Sequence, residues 1–293
     1  MSINLVCVAG GDTSLLSYAI EHYRALGVDS FHIVRQVESY DDPSLGESIE
    51  VARSMGVEFA RICVGPWHEE LNSELIRKVM DSAKNDWWVV ADLDEFHVYD
   101  RPLKDVIERC EDGGYDYVMG AFLDRVAENG DLRTISPFGV VPIWEQFPLA
   151  GLLTFRVLGG VPTKVTLARG AVELDLGQHR AWHGLQAPAD EFCPQVHHFK
   201  WSETVRTRLE KRVAAYSSGY WKSTDTAALV AESKRILDHI RNNDGRIDVG
   251  RPDCMFQMCG TDYGDYAKWL SVIPLWNDRY SAWAKYRVST RLG

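Results

Sequence analysis

Residues 87–91 read Trp-Trp-Val-Val-Ala, five apolar side chains without a break. A half-exposed strand alternates apolar with polar, so an unbroken run of this length is a strand covered on both faces. Such a strand needs helices above and below it, and the chain ahead of it supplies them. Residues 3–9 form a first strand, which Gly10-Gly11 breaks. Residues 14–26 form a helix. Leu15, Leu16, Ala19, Ile20, Tyr23 and Leu26 recur at helical spacing, Asp12 or Thr13 caps it, and Gly27 ends it. Strand 28–34, helix 47–55, strand 57–63 and helix 69–84 carry the same rhythm up to Trp87. Alternation of this kind predicts an α/β fold on an open, doubly wound sheet.

Acid follows the apolar run at once, as Asp92, Asp94 and Glu95. If the chain stays extended through Leu93, Asp92 and Asp94 point to one side, since strand side chains repeat every second residue. Ligands of doubly wound sheets bind at the carboxyl ends of the strands. Asp92 and Asp94 lie at such an end, and so do Gly10, Gly11 and Asp12. Paired carboxylates there suit a hard cation, Mg²⁺ or Mn²⁺, with open positions for substrate phosphates. An acidic turn after a core strand is the plainer alternative.

Downstream, residues 102–111 read as a helix and 115–123 as a strand. Residues 136–148 are irregular and rich in proline and aromatics, either lining an acceptor groove or pinned by their own apolar side chains. Residues 152–158 and 164–167 read as short strands around Gly159-Gly160. His179, His183, His197 and His198 cluster in the next loops, and neutral imidazole is both a ligand for Mn²⁺ and a proton shuttle. A helix at 202–216 buries Val205, Leu209 and Val213, and a second spans 225–241. Pro274 suits the start of a terminal helix on which Trp269, Trp276 and Trp283 recur every seven residues. Aromatics so spaced form core or a subunit contact, so a homo-oligomer through this helix is one expectation. The expected division is a domain over 1–216, with halves 1–100 and 101–216, and a helical C-terminal extension over 217–293.

The formal net charge of −10 argues against a nucleic-acid partner, which needs a basic patch. The six cysteines include no C-x-x-C pair and read as reduced core residues of a cytoplasmic protein. Neither a signal-peptide pattern nor an apolar run long enough to span a membrane is visible.

The segment Trp87-x-x-x-x-Asp92-x-Asp94-Glu95-Phe96 resembles the D-x-D segment of the family 2-like glycosyltransferases, in the branch that carries D-x-DEF. His22 to Asp29, Lys164, His179 and His198-Phe199-Lys200 also match that family's pattern in order. The chain departs from it at Gly10-Gly11-Asp12, at 36–42 and at Glu210-Lys211-Arg212. The resemblance implies a GT-A-like mixed sheet, a nucleotide-diphosphate sugar as donor, and a D-x-D that holds Mn²⁺ or Mg²⁺ against the diphosphate. On that pattern Asp94 is a direct metal ligand and Asp92 a ligand or a ribose contact. His198 or His179 is a third ligand, and Lys164 or Lys200 stabilises the departing diphosphate. Gly10, Asp12 and Glu38 are the candidates near the nucleoside.

If the reaction inverts the anomeric carbon, a carboxylate of the acceptor half must take the acceptor proton. Asp175, Asp190, Glu191 and Glu203 lie in that half. Glu203 has a plainer role in the first turn of a helix. The family draws its base from about a hundred residues after D-x-D, which points to Asp190 or Glu191. The expected activity is transfer of the sugar to a hydroxyl or amine of an unknown acceptor. The alternatives are a metal-dependent nucleotidyltransferase and a non-catalytic module that binds sugar or a partner.

Overall fold

The computed structural model describes residues 2–189 and 191–264; Asp190 and the Pro274, Trp269, Trp276, Trp283 segment lie outside them. The first half runs β1 (Ile3–Gly10), α1 (Leu16–Ala25), β2 (Ser30–Val37), α2 (Pro43–Ser54), β3 (Arg61–Val64), α3 (Glu69–Met80) and β4 (Trp87–Val90). β1 pairs in parallel with β2 and β4, and β2 with β3. Side chains of β4 alternate between two cores, as a two-sided strand requires. Trp87 and Val89 pack with α1 residues such as Leu16 and Ile20, while Trp88 and Val90 pack with Leu75, Ile76 and Met80 of α3.

The second half adds β5 (Glu95–Val98), α4 (Leu103–Gly113), β6 (Tyr117–Val126), α5 (Ile143–Gln146), β7 (Leu149–Gly151), β8 (Thr163–Arg169), β9 (Gln195–His198), α6 (Val205–Ser217), α7 (Thr226–Asn242) and β10 (Gln257–Met258). β8 joins antiparallel to β4, and β6, β7 and β10 follow antiparallel in turn. β9 lies parallel to β6 and antiparallel to β5. The result is the expected α/β fold on a mixed sheet, with strand order β10-β7-β6-β8-β4-β1-β2-β3.

Two local expectations are corrected, and one open alternative is resolved. β4 stops at Val90, and Asp92 to Asp94 is a turn rather than strand. Residues 152–158 are not extended: after β7 the chain forms a π-helical turn, Thr154–Leu158, ended by Gly159 at φ 72°. Its start is held by Asp124, which accepts from Thr154 N at 2.5 Å and Thr154 Oγ1 at 2.7 Å, a side-chain cap that favours helix over strand. The irregular loop 136–148 is pinned by its own side chains. Phe147 and Ile143 are buried, and Gln146 accepts from Ser136 N and donates to Val141 O.

The boundary expected after residue 216 falls between helices that share one core. Trp201, Val205 and Leu209 pack with Ile236 and Ile240 of α7. β10 then completes the sheet edge against β7, so the described part of the helical extension is built into the sheet. No described helix is long and apolar enough to cross a membrane.

Candidate functional site

The turn after β4 closes on itself. Glu95 N donates to Asp92 O at 3.1 Å, and the Glu95 carboxylate accepts from Asp92 N at 3.0 Å. Glu95 is therefore a structural acid, 2% exposed. The turn also separates the partners of the two aspartates, which an extended chain would have kept on one side. Lys164 on β8, 1% exposed, donates to Asp92 Oδ2 at 2.7 Å and lies 3.0 Å from Glu95 Oε1. Burial opposes its charge, but Asp92 and then Glu95 outweigh burial and hold the ammonium above the usual lysine range. Lys164 thus forms the floor of the site, engaged by two carboxylates, rather than an arm toward a departing diphosphate.

Asp94 faces the other way, toward β9. Its carbonyl accepts from Phe199 N at 2.8 Å, and its Oδ2 lies 3.5 Å from His198 Nε2. Burial raises the Asp94 carboxyl, yet His198, Arg208 and Lys200 overcome that and keep it well below the usual range. The opposite ring nitrogen of His198 lies 3.7 Å from Asp124 Oδ1. Asp124, 1% exposed, also accepts from Trp201 Nε1 at 2.7 Å. His198 is therefore set between two carboxylates. Lys200 follows; burial lowers its pKa, and Asp124 and Asp94 oppose the shift.

The neighbouring histidine points elsewhere, as alternation along a strand requires. His197 is fully buried, with Nε2 3.0 Å from Gln195 Oε1 and its ring edge-on to Trp144. His179 belongs with Lys164 rather than with Asp94. Its Nδ1 is 2.7 Å from Thr163 O, and burial followed by the Lys164 charge lowers its pKa to about 4.

α6 lies across the carboxyl ends of β1, β2 and β3, tied by three polar links. Asp12 Oδ2 accepts from Thr204 Oγ1 at 2.8 Å, Glu38 Oε1 lies 3.1 Å from Lys211 Nζ, and Glu69 Oε1 lies 2.9 Å from Arg212 Nη2. Arg208, on the same face, acts on both Asp94 and Asp12 and donates to Lys200 O at 2.8 Å. Its Nε is buried without a partner in the structure. Beneath the Gly10-Gly11-Asp12 loop, the fully buried Arg35 donates to Ala9 O, Gly11 O and Ser44 Oγ, fastening the loop to α2. Gly11 needs its glycine, at φ 59°, whereas a Cβ at Gly10 would meet only ordinary contacts.

Glu191 does not join this group. β9 runs from Gln195 to His198 and reaches Asp94 with its far end, so Glu191 approaches from the opposite end. There it lies 3.5 Å from Arg109 of α4, half exposed. Asp92, Asp94, Lys164, His198 and Lys200 are thus brought together, with Asp12 and Glu38 along the neighbouring strand ends. Sequence reasoning missed Asp124, Arg35, Arg208 and Arg212. The available signals were the pair Asp124-Arg125 inside an apolar strand, and the shared helical face of Thr204, Arg208, Lys211 and Arg212.

Among the described residues no three His, Cys, Asp or Glu side chains converge as a ligand set. Asp94 and His198 do offer an oxygen and a nitrogen to one space, and Asp94 remains 23% exposed. Such a pair fits Mn²⁺ or Mg²⁺, which is commonly held by one or two side chains with substrate phosphates and water completing the shell.

This placement separates the two neighbouring histidines by effect. His198→Ala is expected to reduce donor turnover by on the order of 100-fold with little change in melting temperature. His197→Ala is expected to lower the melting temperature, because it empties a packed site, and to leave the turnover of folded protein near wild type. Paired melts and rate measurements decide it; near-normal rates for both would make His198 a structural residue too.

No protein-family model matches the chain. No curated protein matches it. Solved structures that overlap it include S. aureus TarS 1-349, 12% identical over 85% of this chain and 75% of that one, at a TM-score of 0.32. A putative glucose-1-phosphate thymidylyltransferase from Bacillus anthracis is 14% identical over 50% of this chain and 68% of that one, at 0.30. HddC from Yersinia pseudotuberculosis is 15% identical over 42% of this chain, which spans 59% of HddC, at 0.29. Overlap at these scores is partial, and the activities in those names do not transfer to this chain by similarity.

Proposed function

We propose that the chain is a metal-dependent glycosyltransferase that moves a sugar from a nucleotide-diphosphate sugar to an acceptor hydroxyl or amine. The observation that carries this reading is the convergence of Asp94 and His198 at a strand end, beneath the cationic face of α6. Asp94 and His198 would hold Mn²⁺ or Mg²⁺, which when bound supplies Lewis-acid neutralisation of the diphosphate. Lys200 and Arg208, beside Asp94, add fixed positive charge where the diphosphate oxygens would lie. Asp12, Glu38 and the Arg35-braced glycine loop would border the nucleoside. Lys164 holds Asp92 in place, and Asp92, 31% exposed, would be the contact to the ribose.

Product analysis tests the reading against its rivals. Incubation of the chain with UDP-, GDP- and dTDP-sugars and Mn²⁺ is expected to release nucleoside diphosphate, and chelation with EDTA to stop the release. Pyrophosphate release in the presence of a nucleoside triphosphate and a sugar phosphate would identify a nucleotidyltransferase instead. Donor binding with no turnover at all would identify a non-catalytic module.

A further inference from the structure

Inversion at an anomeric carbon requires a carboxylate on the acceptor side, across the sugar from the metal. Asp92 is held by Lys164, Asp94 faces His198, and Glu191 sits with Arg109 at the far end of β9. α7 brings in a further acid. Where α7 crosses the π-helical turn, Arg235 Nε donates to Leu158 O at 2.6 Å. Glu232, one helical turn earlier and half-buried, extends over the glycine pair that ends that turn. Its Oε1 is 4.0 Å from the position a Cβ would take at Gly160. A Cβ at residue 160 would press first on Thr154 Cγ2, at 3.0 Å, and would only touch the carboxylate.

Contacts link the surroundings of this acid to the pair of Asp94 and His198. The Lys200 charge is felt by Asp94, Asp124 and Glu232 alike. The π-helical turn under Glu232 begins at Thr154, which binds the same Asp124 that faces His198. The charged groups facing Glu232 are Arg212 on α6, Lys200 after β9, Arg235 on α7 and Glu69 on α3. Among the described residues its carboxylate makes no hydrogen bond and no ion pair. A half-buried carboxylate that neither donor nor cation engages among the described residues, with Arg212, Lys200 and Arg235 nearby, has lone pairs free to receive a proton.

We propose that Glu232 is the general base of the transfer, an inference that rests on the glycosyltransferase reading above. The acceptor oxygen forms its bond to the anomeric carbon as its proton passes to the Glu232 carboxylate. The bond from that carbon to the β-phosphate oxygen breaks, and its electron pair leaves with the nucleoside diphosphate. Glu232 then returns the proton to solvent. Burial raises the Glu232 carboxyl above the usual range, against Arg212, Lys200 and Arg235, which brings it closer to neutral pH as a base requires.

The test uses the full chain with Mn²⁺ and UDP-glucose, UDP-N-acetylglucosamine or GDP-mannose, and water serves as acceptor when no other is supplied. For Glu232→Gln, kcat for nucleoside diphosphate release should fall by about 100-fold or more, with donor affinity and melting temperature kept. The low-pH limb of the wild-type kcat profile should vanish in that variant. Glu232→Asp should recover part of the rate, and it stands in if the Gln variant fails to fold. A kcat for Glu232→Gln within about threefold of wild type, or a loss that follows donor affinity alone, overturns the assignment of Glu232 while the glycosyltransferase reading stands. No release from any of the three donors by the wild-type chain overturns that reading, and this proposal with it.

Discussion

Lys164→Met is expected to lower the free energy of unfolding by about 3–5 kcal/mol, the range for removing one partner of a buried ionic group. The ammonium is 1% exposed and lies within 3.0 Å of two carboxylates. Methionine matches its stem in volume, so the packing loss is small and the electrostatic loss dominates. What remains is Glu95, nearly sealed from water beside Asp92; burial pushes its carboxyl up to about 8 even against Lys164, so without that cation it must take up a proton or stay as an unpaired charge. Two measurements separate this account from a packing defect. Denaturant titration of the single variant gives the loss, and Lys164→Met combined with Glu95→Gln should recover a substantial part of it, because the stranded charge is gone. A single variant within about 1 kcal/mol of wild type, or a double variant weaker than the sum of the singles, would show that the Lys164 cluster does not hold the turn.

The same cluster shows how far the amino-acid pattern reaches. Strands β1, β2 and β4 and helices α1 to α3 were legible because these strands bury both faces over most of their length and each helix one, so their periods differ plainly. The turn at Asp92 to Asp94 was not. The period of two holds only while the chain is extended, and here the Glu95 carboxylate takes the Asp92 N–H and bends it. Residues 152–158 failed for a related reason. A short apolar run fits strand and helix equally, and the choice was made by Asp124, some thirty residues earlier, binding Thr154. The acids Asp12 and Glu38 were visible as loop residues, but their links to Thr204 and Lys211 join parts of the chain far apart in sequence. Strand alternation puts His197 and His198 on opposite faces, and they are found so; it was the family pattern, not alternation, that selected His198 of the two. Nothing local marks Glu232, an ordinary acid on an amphipathic helix; only the packing of α7 on the π-helical turn gives it a position.

Asp94→Asn carries the largest expected functional effect. Asp94 is the one acid of the turn that no lysine or arginine engages at close range, and it stays ionised because His198, Arg208 and Lys200 surround it. An amide keeps its size and the contact of the backbone carbonyl with Phe199 N, so the turn should survive. What the amide removes is the negative charge that a hard cation requires. Calorimetric affinity for a UDP-sugar in Mn²⁺ should therefore fall to the value measured in EDTA, and turnover should drop on the order of 10³-fold, the several kcal/mol that metal-borne charge neutralisation is worth. The melting temperature without metal should change little, and the shift that Mn²⁺ with donor gives wild type should be absent, since a ligand that binds only the folded state stabilises it by mass action. His198→Ala should weaken Mn²⁺ binding in the same direction and by less, because one neutral ligand is lost rather than the charge. If Asp94→Asn binds donor as tightly with Mn²⁺ as wild type does, the cation is not held at this pair. Lys200 and Arg208 would then have to bind the diphosphate without it.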